Sequence, residues 1–427
     1  ILGTLSPPAP ARSSYLVITR GSQIIADANA NEADKSVRPD PDNVIVFTSN
    51  APAGSRARTD WGGLIINGRA DVANAGEAIG EGDSGFYGGV DDTDSSGILR
   101  GVRVEFAGDN FTETDQLNGI AFQGVGAGTT VDYVQVHYNE DDGVEPFGGA
   151  VSMTHMVMTG IGDDSFDGTD GYRGFIQFGI AQQRADAADQ GFEFSTAGDN
   201  PNDSDLGSTA VVANVTLVGA KHTGEIASQG SKSDYGILHR EGSNWRIFNT
   251  LVTGFGRAGF CVEKDGTELW AENQFTGAST AVDETLRTEG TIIWANGADI
   301  TDPVDAAQNL ETNCAPADEY ANNAAFFQKA EYNNMLEAVG LPAGAFTIGS
   351  QSSPPDFIPA SMPAGYTEAT FGTISDGLVP SVDGRALTQT DYAGGIAPGT
   401  SLVDAWYYGW TIWTTNGADS RPAVAVP

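Results

Sequence analysis

Three short runs, GVEPFG from Gly143, SFDGTD from Ser165 and GFEFST from Gly191, place Glu145, Asp167 and Glu193 at one common offset. Acidic pairs precede the first two runs: Asp141 and Asp142 in NEDDG, then Asp163 and Asp164 in GDDSFDGTD, 22 residues further on. Carboxylates that recur at a fixed interval meet in space when the chain repeats its path. Stacked at a strand spacing of about 4.8 Å, they repel unless a cation, a basic partner or a shared proton relieves them. Calcium prefers such clusters of hard oxygen donors. Asp141, Asp142, Glu145, Asp163, Asp164, Asp167 and Asp170 are therefore candidate ligands of a structural calcium. GDDSFDGTDG lacks the ligand order and closing Glu of an EF-hand loop, so any such site has another design. Two other readings stand beside it. Asp and Asn at turn corners bond nearby backbone and tolerate left-handed conformations, which needs no ligand. Alternatively, Asp142, Asp164, Asp167 and Glu193 form an acid and base pair across a glycosidic bond.

Other residue types add less. A lyase needs a base beside its metal, and Lys221, His222, His239 and Arg240 are the basic candidates within reach in sequence. The four histidines, His137, His155, His222 and His239, show no zinc spacing and read as packing residues. Trp61, Tyr87, Trp245 and Trp270 lie beside turns or loops, where a ring can stack on a sugar face. GVGAGT from Gly124 has no P-loop lysine and no strand–helix unit, which excludes a nucleotide site. A Ser-centred nucleophile elbow is absent as well.

The elements that must position these acids are strands of a solenoid. Runs of alternating apolar residues start at Tyr133, His155, Phe178, Asn214 and Asn249, spaced 22, 23, 36 and 35 residues apart, and each is followed by a turn and a second run. Repeats of this length without helical patterns read as stacked coils. Earlier runs from Tyr15, Asn43 and Trp61 carry the same period-2 pattern. A long loop over 71–96 and inserts at 197–208, 222–234 and 266–288 leave the array as lateral excursions. After about residue 300 the pattern changes. Apolar spacing predicts one helix over Asn322–Val339, followed by a Pro-rich connector and an aromatic strand, DAWYYGWTIW, that caps the solenoid. The reading is all-β, a right-handed parallel β-helix over 1–300, with 301–427 packed on it.

Composition narrows the partners. With 57 acidic against 21 basic residues, the net charge of −36 excludes nucleic acid and anionic lipid as binding surfaces. No apolar run reaches the length of a membrane span. The opening ILGTLSPPAPARSS has no basic and apolar leader pattern, as expected of a mature or trimmed product. The two cysteines, Cys261 and Cys314, fit one disulfide and no metal motif.

VITRGSQIIADA, VFTSNAPAGSRARTDWGGLIINGRA, GVRVEFAG, NGIAFQGVGAGTTVDYVQVHYNEDDGVEPFGG and GDDSFDGTDGYRGFIQFGIAQQ together resemble a family of bacterial secreted, cell-surface right-handed parallel β-helix proteins, frequent in marine and Bacteroidetes-type bacteria. The closing GGIAPGTSLVDAWYYGWTIW resembles the aromatic end of those proteins, and the likeness spans about residues 15–415. It implies an exported protein whose partners are polysaccharides or cell-surface components. The acids also resemble, loosely, the Asp layout of polygalacturonase-type β-helix glycosidases, without that family's Gly-His-Gly and Arg-Ile-Lys elements. The leading expectation is a calcium-stabilised structural or adhesive scaffold that contacts glycans. A polysaccharide hydrolase or lyase is the alternative. A third reading is self-association through solenoid ends or through the aromatic residues around Trp410 and Trp413.

Overall fold

The structure, a computed structural model, describes residues 14–73, 76–112, 116–196, 207–220, 232–263, 286–297, 303–310, 323–347, 349–371 and 379–420. Two parallel sheets run the length of the molecule. The first stacks Leu16–Ile18, Leu64–Asn67, Ile120–Gln123, Val144–Phe147, Phe166–Gly168, Phe192–Phe194, Tyr235–His239 and Ala258–Val262 in that order. The second stacks Ile24–Asp27, Gly97–Glu105, Thr130–His137, Ser152–Thr159, Phe175–Gln182, Val211–Val218, Arg246–Phe248 and Arg287–Glu289. Every neighbour within both sheets is parallel, so the chain climbs one coil per turn and the fold is a parallel β-helix.

Strand alternation sorts the side chains. In the first sheet Val144, Phe166 and Phe192 stack in register and point inward with Phe260 further along, whereas Glu145, Asp167 and Glu193 alternate outward. Phe166 and Phe192 have ring centroids 5.3 Å apart, and Phe194 lies on Trp245 at 3.7 Å. Each such buried ring contributes about 1.5–3 kcal/mol, and this apolar stack fixes the register of the acids on the other face.

Each strand in the second sheet is bent at one position. Tyr133, His155, Phe178, Asn214 and Asn249 all have φ between 48° and 60°, and Gly101 and Gly290 occupy the same row at 63° and 61°. A left-handed residue with a side chain costs about 1–2 kcal/mol. Stacking offsets part of that: Tyr133 lies parallel to His155 at 4.2 Å, and His155 to Phe178 at 5.2 Å. These residues open the runs seen in the sequence, yet the strands start three residues earlier, at Thr130, Ser152, Phe175, Val211 and Arg246. The bend breaks the alternation that marks the first half. In the lowest coil the break is complete: Ile24–Asp27 and Ile45–Phe47 both pair with Gly97–Glu105, one on each side of Gly101, and residues 28–44 leave between them.

The expected helix over Asn322–Val339 is much shorter. It runs Asn323–Phe327, a 3₁₀ turn follows at Ala330–Tyr332, and Met335 makes a parallel bridge with Ile292. Asn333 turns left-handed, and Asn334 bonds the carbonyls of Thr288 and Phe327, so the last coil draws the chain out of helix. Phe326 and Phe327 pack on Phe260, and Tyr332 on Phe326, which makes this segment the seal of the interior at that end. The aromatic run is no strand and closes no end. Trp410 and Trp413 lie along the outer flank of the second sheet with Tyr133, Val157, Ile180 and Val218. Cys261 is buried and disulfide-bonded; Cys314, the sequence's other cysteine, lies outside the described residues.

Candidate metal centre

The acids meet on the outer face of the first sheet, over three coils. A five-residue unit recurs there: Asp141-Asp142-Gly143-Val144-Glu145, Asp163-Asp164-Ser165-Phe166-Asp167 and Asp189-Gln190-Gly191-Phe192-Glu193. Its fourth residue faces the core and anchors the other four. Four overlapping triads result: Asp141–Asp142–Asp163, Asp142–Glu145–Asp167, Asp163–Asp164–Asp189 and Asp164–Asp167–Glu193, with donor oxygens of each within 4.8 Å of one another. Together these are eight carboxylates lining an open cleft of about 660 Å³, which Glu81, Ile79, Phe147 and Arg240 also border.

The second residue of each unit has a structural task. The backbone N–H of Asp142 donates to Asn118 Oδ1 at 3.2 Å, that of Asp164 to Asp142 Oδ1 at 2.9 Å, that of Gln190 to Asp164 Oδ1, and that of Tyr235 to Gln190 Oε1 at 3.1 Å. A side-chain ladder thus ties each turn to the coil below it. Amides serve at its two ends and aspartates in the middle, where a neutral Asn would do the same structural work. The turn reading of Asp142 and Asp164 is therefore half of the account, because one oxygen of each carries a turn while the other is left for the cleft.

Burial raises the carboxyls of Asp142, Glu145, Asp164 and Asp167 well above the ordinary range, and their acidic neighbours raise them further. Burial, then Asp163, Asp234 and Glu193, pushes Asp189 up to about 7. Glu193 is raised by burial and drawn back by Arg240, whose Nη1 donates to its Oε1 at 2.9 Å. Glu145 and Asp167 share a triad, and Asp167 is the strongest of the acidic neighbours that raise Glu145. Two like charges about 4.8 Å apart repel by roughly 3–4 kcal/mol at an effective dielectric of about 20. The cleft is held together by protons or by cations. All the clustered donors are carboxylate oxygens, with no His or Cys in these groups among the described residues, and such a hard set suits calcium better than zinc.

Six of the seven candidate calcium ligands come together here. Asp170 does not: it is buried past the end of its strand, where it accepts from the Tyr87 hydroxyl at 3.0 Å. Glu193 joins the metal set although its expected part was only catalytic. Asp189 and Glu81 were missed. Aligning the unit Asp-x-(Gly/Ser)-apolar-acid finds Asp189, whereas Glu81 arrives from the lateral loop, tied by Asn118 Nδ2 at 3.1 Å. The expected sugar-stacking rings lie elsewhere. Trp245 is inside the coil, Tyr87 is buried on Asp170, and Trp61 donates its indole N–H to Glu105 O at 2.8 Å; Trp270 lies outside the described residues, as do Lys221 and His222. His239 is buried against Phe194 and Phe260, with its pKa pushed down to about 3 by desolvation, so it is no base for the cleft.

The model of the pectate-lyase-like β-helix domain matches residues 5–331, in keeping with the stacked parallel coils. The chain belongs to that family. No curated protein and no solved structure matches it. Among the described residues no helix is long and apolar enough to cross a membrane.

Proposed function

We propose that this member of the pectate-lyase-like β-helix family is an exported scaffold of the cell surface, in which calcium neutralises the acidic cleft and glycans are met along the same face. The observation that supports it is the cleft itself: eight converging carboxylates and, among its described lining residues, the single cation Arg240. A disulfide at Cys261 suits an oxidising compartment. The acidic surface suits a role outside the reach of nucleic acid. The deciding experiment is thermal unfolding with EDTA and then with calcium restored, on wild type and on Asp163→Asn/Asp167→Asn. A calcium-dependent rise in Tm that the double variant loses is expected. An equal Tm in EDTA and calcium would sink the reading.

One observation favours cleavage of acidic polysaccharides as a second reading. Asp189, pushed up to about 7 by burial and acidic neighbours, sits beside Asp163 and Asp164, so one carboxyl of the cleft exchanges its proton near neutral pH, as a general acid or base must. Release of new reducing or unsaturated ends from acidic polysaccharides, abolished in Asp189→Asn, would establish it.

A further inference from the structure

The outer flank of the second sheet is covered by Ala345, Phe357 and Ile358 and, over most of its length, by residues 379–420, whose manner of covering differs from everything beneath it. Among the described residues of that segment, the 3₁₀ turn Leu402–Asp404 is the sole regular element. No ladder joins this segment to the sheet. Isolated main-chain bonds touch it, as from Gly394 N–H to Asn249 O at 2.8 Å and from Val382 N–H to Ala127 O at 3.0 Å, and side chains of the sheet make most of the rest. Gln135 bonds Ile412 twice, Nε2 to the carbonyl at 2.7 Å and Oε1 from the N–H at 2.9 Å. Gln177 does the same to Thr388, at 2.7 and 2.8 Å. Arg103 donates to Trp410 O at 2.6 Å, His137 to Thr414 O at 2.9 Å and Asn214 to Tyr392 O at 2.9 Å. Trp410 and Trp413 then anchor the segment in an apolar cluster of their own, with Tyr133, Val157, Ile180 and Val218. The interior of the solenoid takes nothing from it, because the last contributors to that core are Phe326, Phe327, Tyr332 and Leu336.

We propose that this flank is an exchange surface between copies: residues 379–420 of one chain seat on the second sheet of another. Three observations carry this. A seat that reads main chain through glutamine and asparagine amides is indifferent to which copy supplies the chain. The interior is sealed before the segment begins, so a solenoid whose segment has left keeps its core. Bonds made one side chain at a time open separately, unlike a strand ladder that must part as a unit. Such exchange of an identical element is the low-cost route to a dimer, since every contact of the monomer is reused.

The test uses the full chain. Wild type is exposed briefly to urea below the unfolding midpoint of the solenoid, at high protein concentration. It is then returned to about 0.15 M salt, where the Debye length of about 8 Å limits repulsion between acidic copies, and its mass is read by light scattering. Gln135→Ala/Gln177→Ala lacks the seat, and Trp410→Ala/Trp413→Ala lacks the anchors; both are checked for native far-UV circular dichroism and treated in the same way, alone and mixed. Exchange predicts a wild-type dimer of twice the monomer mass, monomers from each variant alone, and a one-to-one heterodimer from the mixture, joined by its single intact seat and segment. Wild type that stays monomeric overturns the proposal. So does a wild-type dimer with no heterodimer from the mixture, which would locate the contact elsewhere.

Discussion

The two sheets of this β-helix both turn polar side chains outward, and they settle them in opposite ways. On the second sheet Arg103, Glu105, Gln135, His137 and Gln182 are fully or nearly buried, yet each has a partner: Arg103 pairs Glu105 at 2.9 Å, Gln135 and His137 hold the covering segment 379–420, and Gln182 donates to Ala345 O at 2.6 Å. On the first sheet three successive coils, between Ala121 and Leu238 in the same row, turn acids outward against acids, and the face is open there. Buried polar groups that find partners within the chain become structure. Those that find only their own kind create a demand for something from solution. The flanks differ first in pairing and then in cover, since the paired side chains lie under the segment while several of the acids stay half-buried at the cleft.

The sharpest way to break this comparison is to remove the cover. Trp410→Ala or Trp413→Ala leaves a cavity at a fully buried site and should cost about 3–5 kcal/mol. Amide exchange should rise over residues 379–420 while strands of the first sheet stay protected; uniform loss of protection would make the two flanks one cooperative unit. Next in size is cation removal. Calcium at about 100–1,000 times its Kd should stabilise wild type by about 2.7–4 kcal/mol, read as the Tm difference from EDTA. The same titration on Gln135→Ala should show the full calcium response on a lower baseline.

Proton linkage gives a third, intermediate effect. Asp189 binds its proton more tightly folded than unfolded, so its stabilising contribution is present below about pH 4 and is lost as pH rises to about 7. In EDTA, stability should therefore fall between those values, and saturating calcium should flatten the profile. His137 on the other flank has the opposite sign. Its pKa is pushed down to about 4 by burial, so its contribution is present at neutral pH and lost as pH falls from about 6.5 to about 4. Replacing His137 with Gln should remove the second slope and leave the first. The smallest change expected is Asp170→Asn, which weakens one bond to Tyr87 for about 0.5–1.5 kcal/mol and leaves the calcium response intact.

The first sheet was the more legible in the sequence for the same physical reason. Glu145, Asp167 and Glu193 share one offset because strand period and coil length both act on them, so counting residues sufficed. Asp170 was misassigned because the chain leaves the strand at Gly168, after which offset no longer predicts direction. Asp189 was hidden by the longer spacing of its coil, and Glu81 by arriving from outside the repeat. The aromatic tail alternates like a strand, yet its partners are side chains more than 250 positions earlier, as in Gln135 with Ile412. No local pattern encodes such pairing. The helix over Asn322–Val339 failed through competition: apolar spacing favoured it, and the exposed edge at Ile292 took Met335 instead.

The row of left-handed residues in the second sheet has a consequence for what can be built on this chain. Each long strand is two short ones joined at a corner, and residues 28–44 show that the corner tolerates a detour with both halves still paired. A guest peptide placed between Asn249 and Thr250 or after Gly290 would enter at the same corner, where the halves on either side already hold their own register. Where the cover leaves the corner free, as at residues 28–44, the solenoid can therefore carry a side excursion without losing a rung.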